Sequence, residues 1–252
     1  MIELRAPRGL GDAVYLRAVV LHLLALEHKV GVHTLWPAAF ADLPVRVGNM
    51  EDSLGRPNLR IVAYELGRLN PDNLSNFATA CLRAEITEPV ELRLGWTVRN
   101  HALLERVTRM AAGRPIMLYQ PTKSTRNTEQ ELMRPARKSY NAFVAAQKQY
   151  FHIKLGQSPF VAHDAAAPCE LDLFGATSIH DMFDLATICD FAFGESCVVP
   201  MLAEACDKPF AIMFTRRALD YTGSMQNQRI RNVTPERLFH KKHLGTAVYD
   251  ES

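Results

Sequence analysis

The first 36 residues constrain this chain more than any other part of it. Ile2–Ala6 is a short extended run, and Pro7–Arg8–Gly9–Leu10–Gly11 is a breaker cluster. A long apolar-periodic stretch opens at Asp12, and Val30–Trp36 is extended again. Strand, glycine turn, helix, strand is a βαβ unit, which commits the chain to a parallel sheet covered by helices. Asp12 reads as the helix N-cap, its carboxylate placed to accept the free N–H groups of the first turn, and His28–Lys29 close the helix with positive charge.

The apolar stretch Ala13–Leu26 follows Arg5 and Arg8 and superficially resembles a secretory signal. It is interrupted by Arg17 and His22, lacks a small-residue cleavage site and is too short to span a bilayer, so it reads as a buried helix. Hydrophobic residues make up 48% of 252, enough for one core or two modest ones. Lysine plus arginine total 29 against 27 acidic residues, so a net charge of +2 makes no global case for nucleic-acid binding. The five cysteines, Cys81, Cys169, Cys189, Cys197 and Cys206, are odd in number and contain no CxxC pair. They read as reduced, mostly buried thiols, and the expected compartment is the cytoplasm.

Downstream, Leu59–Tyr64 and Val90–Leu94 read as strands and Asn73–Arg83 as a helix. His101–Ala112 is helical and ends at Gly113–Arg114–Pro115, a linker. The pattern then restarts. Ile116–Tyr119 is a strand, Gln120–Lys138 a polar loop, Ser139–Tyr150 a helix, Phe151–Leu155 a strand and Leu171–Leu173 a short strand. Ser178 caps a helix with Asp181 completing a capping box. Cys189–Phe193 is a strand, a helix runs to about Cys206, Phe210–Phe214 is a strand, and a basic, mostly irregular tail with a helical end follows. The expected organisation is an N-terminal domain over 1–113, a C-terminal domain over 114–235, and a tail over 236–252 packing back on the N-terminal domain.

The Gly9–Leu10–Gly11 turn invites a dinucleotide reading. However, Val14 stands at the third glycine position, and the second strand ends in Trp36–Pro37 rather than in an acid for a ribose. A carboxylate there also repels phosphate. Asp12 suits a general base taking a proton from a hydroxyl, with a purely capping role as the alternative. Metal ligation has little support. The histidines are scattered, and His240–Lys241–Lys242–His243 sets two lysines against any cation.

GLGDAVYLRAVVLHLL at the N-terminus resembles the glycine–aspartate opening of the heptosyltransferase-like glycosyltransferases (glycosyltransferase family 9-like). LDLFGATSIHDMFDLATICDFAFGESCVVPMLAEACDKPFAIMF is similar to that family's nucleotide-sugar half, and LYQPTK at Leu118–Lys123 is similar to the strand end that opens its second domain. The resemblance runs from Met1 to Arg217 in the family's order and weakens across Ala38–Leu92. It departs at Glu195–Ser196–Cys197–Val198–Val199–Pro200–Met201, where the family's glycine and histidine are missing, and the chain is shorter than most members.

The resemblance implies a GT-B architecture, two Rossmann-like domains with parallel sheets facing an interdomain cleft. It implies an inverting glycosyltransferase that moves a sugar from a nucleotide-sugar donor to a hydroxyl acceptor, with no cofactor and no metal. Asp12 would be the catalytic base. The donor would be held by Gly11, Gln120, Thr122, Lys123, Arg134, Gly175, Ser178, Gly194, Glu195 and Ser196, with Thr177 beside Ser178. Basic residues of the Gln120–Lys138 loop would neutralise the departing diphosphate. The acceptor would be a saccharide, or a hydroxylated base in modified DNA. The charge distribution, read by itself, sets the basic residues Arg216, Arg217, Arg229, Arg231, Arg237, Lys241 and Lys242 against a stretch from Pro159 to Glu195 whose only charges are acidic. They read either as a tail packed across an acidic surface, as a solvated face, or as a basic rim that guides a polyanionic acceptor. The alternatives are a nucleotide-sugar epimerase or hydrolase, and a degenerate non-catalytic binding protein of the same fold.

Overall fold

A computed structural model of the chain describes residues 1–6, 9–51, 59–61, 76–121, 137–156, 169–195, 197–215 and 245–250. The chain forms two compact units, with the division falling between Thr97 and Val98.

The first unit contains β1 (Ile2–Arg5), α1 (Leu10–Ala25), β2 (Val30–His33), a 3-10 turn (Pro37–Phe40), β3 (Arg46–Gly48), β4 (Leu59–Ile61) and α2 (Asn76–Arg83). Its strands run in the order β3-β2-β1-β4, all parallel. Residues Ala13–Val20 of α1 are all buried, because the helix packs against β2, the 3-10 turn and α2 at once. A helix apolar on every side is stable only inside a protein.

The one charge within that run, Arg17, is fully buried and uses all its donors. Its Nε donates to the Leu94 carbonyl at 2.5 Å, and the guanidinium nitrogens reach the Ala39 and Gly95 carbonyls at 2.7 and 2.8 Å. Both Asp42 carboxylate oxygens accept from it at 2.7 Å in a two-pronged pair. Val90–Leu94, which ends at this hub, forms no strand of either sheet among the described residues. The alternation that suggested a strand is present, since Val90, Leu92 and Leu94 are buried. The segment keeps only an isolated bridge at Glu91, and its last carbonyl, that of Leu94, accepts from Arg17.

Gly31 lies opposite Glu3 on the β1–β2 ladder. A Cβ there would overlap the Glu3 carboxylate, which is itself buried against His33 Nε2 at 2.7 Å. Gly31→Ala is therefore expected to destabilise the first unit by about 1–3 kcal/mol, read as a lower urea midpoint. An unchanged midpoint would show that Glu3 has room to turn aside.

The second unit contains α3 (His101–Ala111), β5 (Ile116–Tyr119), α4 (Arg137–Ala146), β6 (Phe151–Lys154), β7 (Leu171–Asp172), α5 (Ile179–Ile188), β8 (Phe191–Gly194), α6 (Val198–Ala205), β9 (Phe210–Thr215) and β10 (Gly245–Asp250). The sheet order is β10-β9-β8-β5-β6-β7, all parallel. Counted from β5, this is the doubly wound order 3-2-1-4-5-6. Met117, Tyr119, Phe193, Ala211 and Met213 form a core on one face with Tyr140 and Val144 of α4, and Phe143 stacks on Phe193 at 4.2 Å. On the other side, α5 packs against β5 and α6 against β8 and β9.

The helix placed at the end of the N-terminal domain, α3, belongs to the second unit. Wholly buried Asp184 of α5 accepts the Arg99 and Asn100 amides at 3.1 and 2.7 Å, and Asn100 in turn caps α3 by accepting the Leu103 amide at 3.0 Å. Within the expected tail over 236–252, the described end is a strand rather than a helix. Residues Gly245–Asp250 complete the second sheet as a parallel partner of β9, which gives the β9 edge a hydrogen-bonding neighbour. Residues 236–244 lie outside the described set.

None of the five cysteines is in a disulfide, and burial pushes the Cys206 thiol up to about 12. Among the described residues, no helix is long and apolar enough to cross a membrane.

Glu170 supplies a pH-dependent element at the β6–β7 edge. Burial opposes its charge, but the His152 amide at 2.9 Å and Arg114 at 2.6 Å hold its carboxyl below the ordinary 4.5. A depressed folded value contributes stability that is present above pH 4.5 and is lost as pH falls through the folded value. Glu170→Gln is expected to flatten the acid limb of the thermal melting profile. A limb that keeps its steepness would assign it to other carboxylates.

Candidate functional site

In open parallel sheets, ligands bind beyond the carboxyl ends of the strands, where the strand order reverses. In the second unit that point lies between β5 and β8, and Gln120, Gly194 and Glu195 stand there. The Gln120 amide donates to the Phe193 carbonyl at 3.2 Å, so the two strand ends stay together past the ladder. The Tyr140 hydroxyl of α4 donates to the Gln120 carbonyl. Burial, then the charges of Cys197 and Glu195, push the Tyr140 phenol well above its ordinary 10. It therefore stays protonated and acts as a strut. A Cβ at Gly194 would overlap the Cys197 sulfur and crowd the Pro200 ring, so the chain turns into α6 only with a bare backbone. Glu195 follows, half-buried.

Gly175 and Ser178 stand at the same end of the sheet. Gly175 takes a left-handed φ of +70° and donates to the Gly156 carbonyl at 2.7 Å. Ser178 caps α5 as the sequence indicated. Its hydroxyl accepts the Asp181 amide at 3.1 Å, while its own amide and hydroxyl donate to the Asp181 carboxylate at 2.9 and 2.7 Å. That carboxylate already occupies the positive end of α5, where a phosphate would otherwise be favoured. Hydrogen bonds from Asn100 and Ser178 outweigh its burial and hold its carboxyl below the ordinary range.

In the first unit the corresponding strand ends belong to β1 and β4. Asp12 and Gly11 lie just beyond β1. Asp12 is not the N-cap. Gly9 occupies that position, and Asp12, three residues on, accepts the Gly9 amide through Oδ2 at 3.2 Å. A glycine has no side chain to cap with, so the third helical residue reaches back instead. Asp12 remains only half-buried.

Thr122, Lys123, Arg134 and Ser196 lie outside the described residues, as does the basic segment Arg216–Lys242. Sequence reasoning missed Tyr140, whose signal was only its place on a helix, and the roles of Arg17 and Asp184. Their signal was present: a lone charge in an apolar helix run is buried only when paired. Among the described residues, no group of three or more His, Cys, Asp or Glu side chains is placed to hold a metal.

No family model and no curated protein matches the sequence. The fold does have counterparts among solved structures. The iron-containing dodecameric glycosyltransferase TibC of enterotoxigenic E. coli superimposes with a TM-score of 0.56 at 12% identity, over 84% of this chain and 57% of its own. A second structure of TibC contains ADP-D-beta-D-heptose. The ADP-heptose LPS heptosyltransferase II of E. coli gives 0.56 at 13% identity, over 100% of this chain and 93% of that one. A family 9 glycosyl transferase of Veillonella parvula gives 0.57 at 10%, over 100% and 87%. The chain thus spans just over half the length of TibC, and at these identities the likeness establishes the fold.

Proposed function

We propose that this chain is a heptosyltransferase-like glycosyltransferase of GT-B design, moving a sugar from a nucleotide-sugar donor to a hydroxyl acceptor with inversion. The observation that carries the reading is Asp12. It is a half-buried carboxylate just past the end of β1, at the point where the first sheet reverses its strand order. The likeness to sugar-transferring enzymes supports the same reading.

In the proposed reaction the acceptor oxygen attacks the anomeric carbon as its proton passes to Asp12. The bond from that carbon to the diphosphate oxygen breaks, and the nucleoside diphosphate leaves with the electron pair. The second unit holds the donor around Gln120, Gly194 and Glu195. Lys123, Arg134 and neighbouring cations meet the diphosphate charge in place of a metal. The acceptor class is a hydroxyl of a saccharide or of a hydroxylated base in DNA.

The test is a product assay across nucleotide sugars, with and without hydroxyl acceptors. Acceptor-dependent release of nucleoside diphosphate, with an inverted anomeric configuration by NMR, is the expected result. Release without an acceptor would make the chain a hydrolase. Absence of any melting shift with the whole panel would make it a non-catalytic relative.

A further inference from the structure

Tyr140 of α4 is only 1% exposed. Its ring packs as an apolar side chain would, 4.5 Å from the Phe193 ring in the core under β5 and β8. Phenylalanine would fill that space equally well. What the hydroxyl adds is a hydrogen bond to the Gln120 carbonyl, and a buried phenol needs such a partner.

That carbonyl lies where the chain leaves the sheet. The Tyr119 carbonyl before it still accepts the Leu155 amide at 2.9 Å on the β6 side, and the Gln120 amide still reaches the Phe193 carbonyl of β8 at 3.2 Å. β5 ends at Tyr119, so the phenol, rather than a ladder, ties down the carbonyl that follows. The charges of Cys197 and Glu195 oppose ionisation of the same phenol, which places the hydroxyl within electrostatic reach of the turn after β8. One side chain of α4 thus bears on both strand ends at the switch point. A binding site keeps its affinity only when the residues behind it hold its groups in place.

We propose that Tyr140 is a positioning residue of the donor site, its hydroxyl holding Gln120 and Glu195 at the spacing that a bound nucleotide sugar requires. The inference rests on the donor-site reading above. Enclosed in the core, Tyr140 acts through these neighbours and not by touching substrate.

Tyr140→Phe and Phe143→Leu, each made in the full chain, separate positioning from packing. Phe143 stacks on Phe193 at 4.2 Å, so both changes loosen the same core, but only the first removes the hydrogen bond. ADP, GDP, UDP and their glucose esters are titrated by calorimetry at a temperature where wild type and Phe143→Leu are folded. Initial rates over donor and acceptor follow with whichever ester is a substrate. Tyr140→Phe is expected to weaken nucleotide binding and raise the donor KM about fivefold to tenfold, with kcat and the acceptor KM within about twofold of wild type. Phe143→Leu is expected to melt lower than wild type and to keep its nucleotide affinity.

Wild-type nucleotide affinity in Tyr140→Phe would overturn the proposal. So would an equal rise in donor and acceptor KM, a matching loss of affinity in Phe143→Leu, or a Tyr140→Phe chain that does not fold. Each of these three would make the hydroxyl a general prop of the second unit. If no nucleotide or nucleotide sugar binds the wild-type chain, the functional reading fails and this inference fails with it. If nucleotides bind wild type and Tyr140→Phe alike, only the inference falls.

Discussion

Arg17→Met is expected to destabilise the first unit by about 3–5 kcal/mol, a large share of the roughly 5–15 kcal/mol that holds a typical domain together. Methionine fills much of the same volume, so the loss comes from what is left behind. The Leu94, Ala39 and Gly95 carbonyls lose their donor, and Asp42 keeps a charge with no counter-ion. Arg17→Lys should recover little of this, since one ammonium cannot span acceptors arranged around a flat fork. Both tryptophans, Trp36 and Trp96, lie in this unit, and the Trp96 ring sits 5.2 Å from the guanidinium carbon. Urea unfolding followed by tryptophan fluorescence therefore reads the right region. A loss under about 1 kcal/mol would mean that water replaces the guanidinium at little cost.

Asp12→Asn is expected to lower turnover by about 10²–10⁴-fold, the range for removing a general base, while nucleotide affinity stays within about twofold of wild type. Asparagine keeps an oxygen that can accept the Gly9 amide, so the helix start survives. The loss of negative charge in the first turn costs only about 0.3–1 kcal/mol. Binding by calorimetry, turnover by product release and melting by circular dichroism separate the three quantities. Wild-type turnover in the variant would remove Asp12 from the chemistry without touching the fold.

Much of the architecture could be read from residue order. The β5 run Ile116–Tyr119 and the Ser178–Asp181 capping box fall where pattern placed them, because both are local. A buried parallel strand is a short apolar run, and a capping box closes within one helical turn. Gln120, Gly194 and Glu195 were also identifiable as strand-end residues. Their meeting across β5 and β8 was not, since it depends on residues as far apart in the chain as Met117 and Phe191 becoming neighbours. The same limit explains why α3 groups with the second unit, why Val90–Leu94 forms no strand of either sheet, and why Gly245–Asp250 is a strand beside β9. Each depends on a partner distant in the chain, and no local period encodes it.

Hydrophobic period and turn chemistry were enough to commit these residues to parallel sheets under helices, because both act within a few neighbours along the chain. Which strands lie at the centre, and where Arg17 and Asp184 find their counter-groups, were settled only by long-range packing. The free energy of burying a charge or a strand edge depends on what arrives from elsewhere in the chain to meet it.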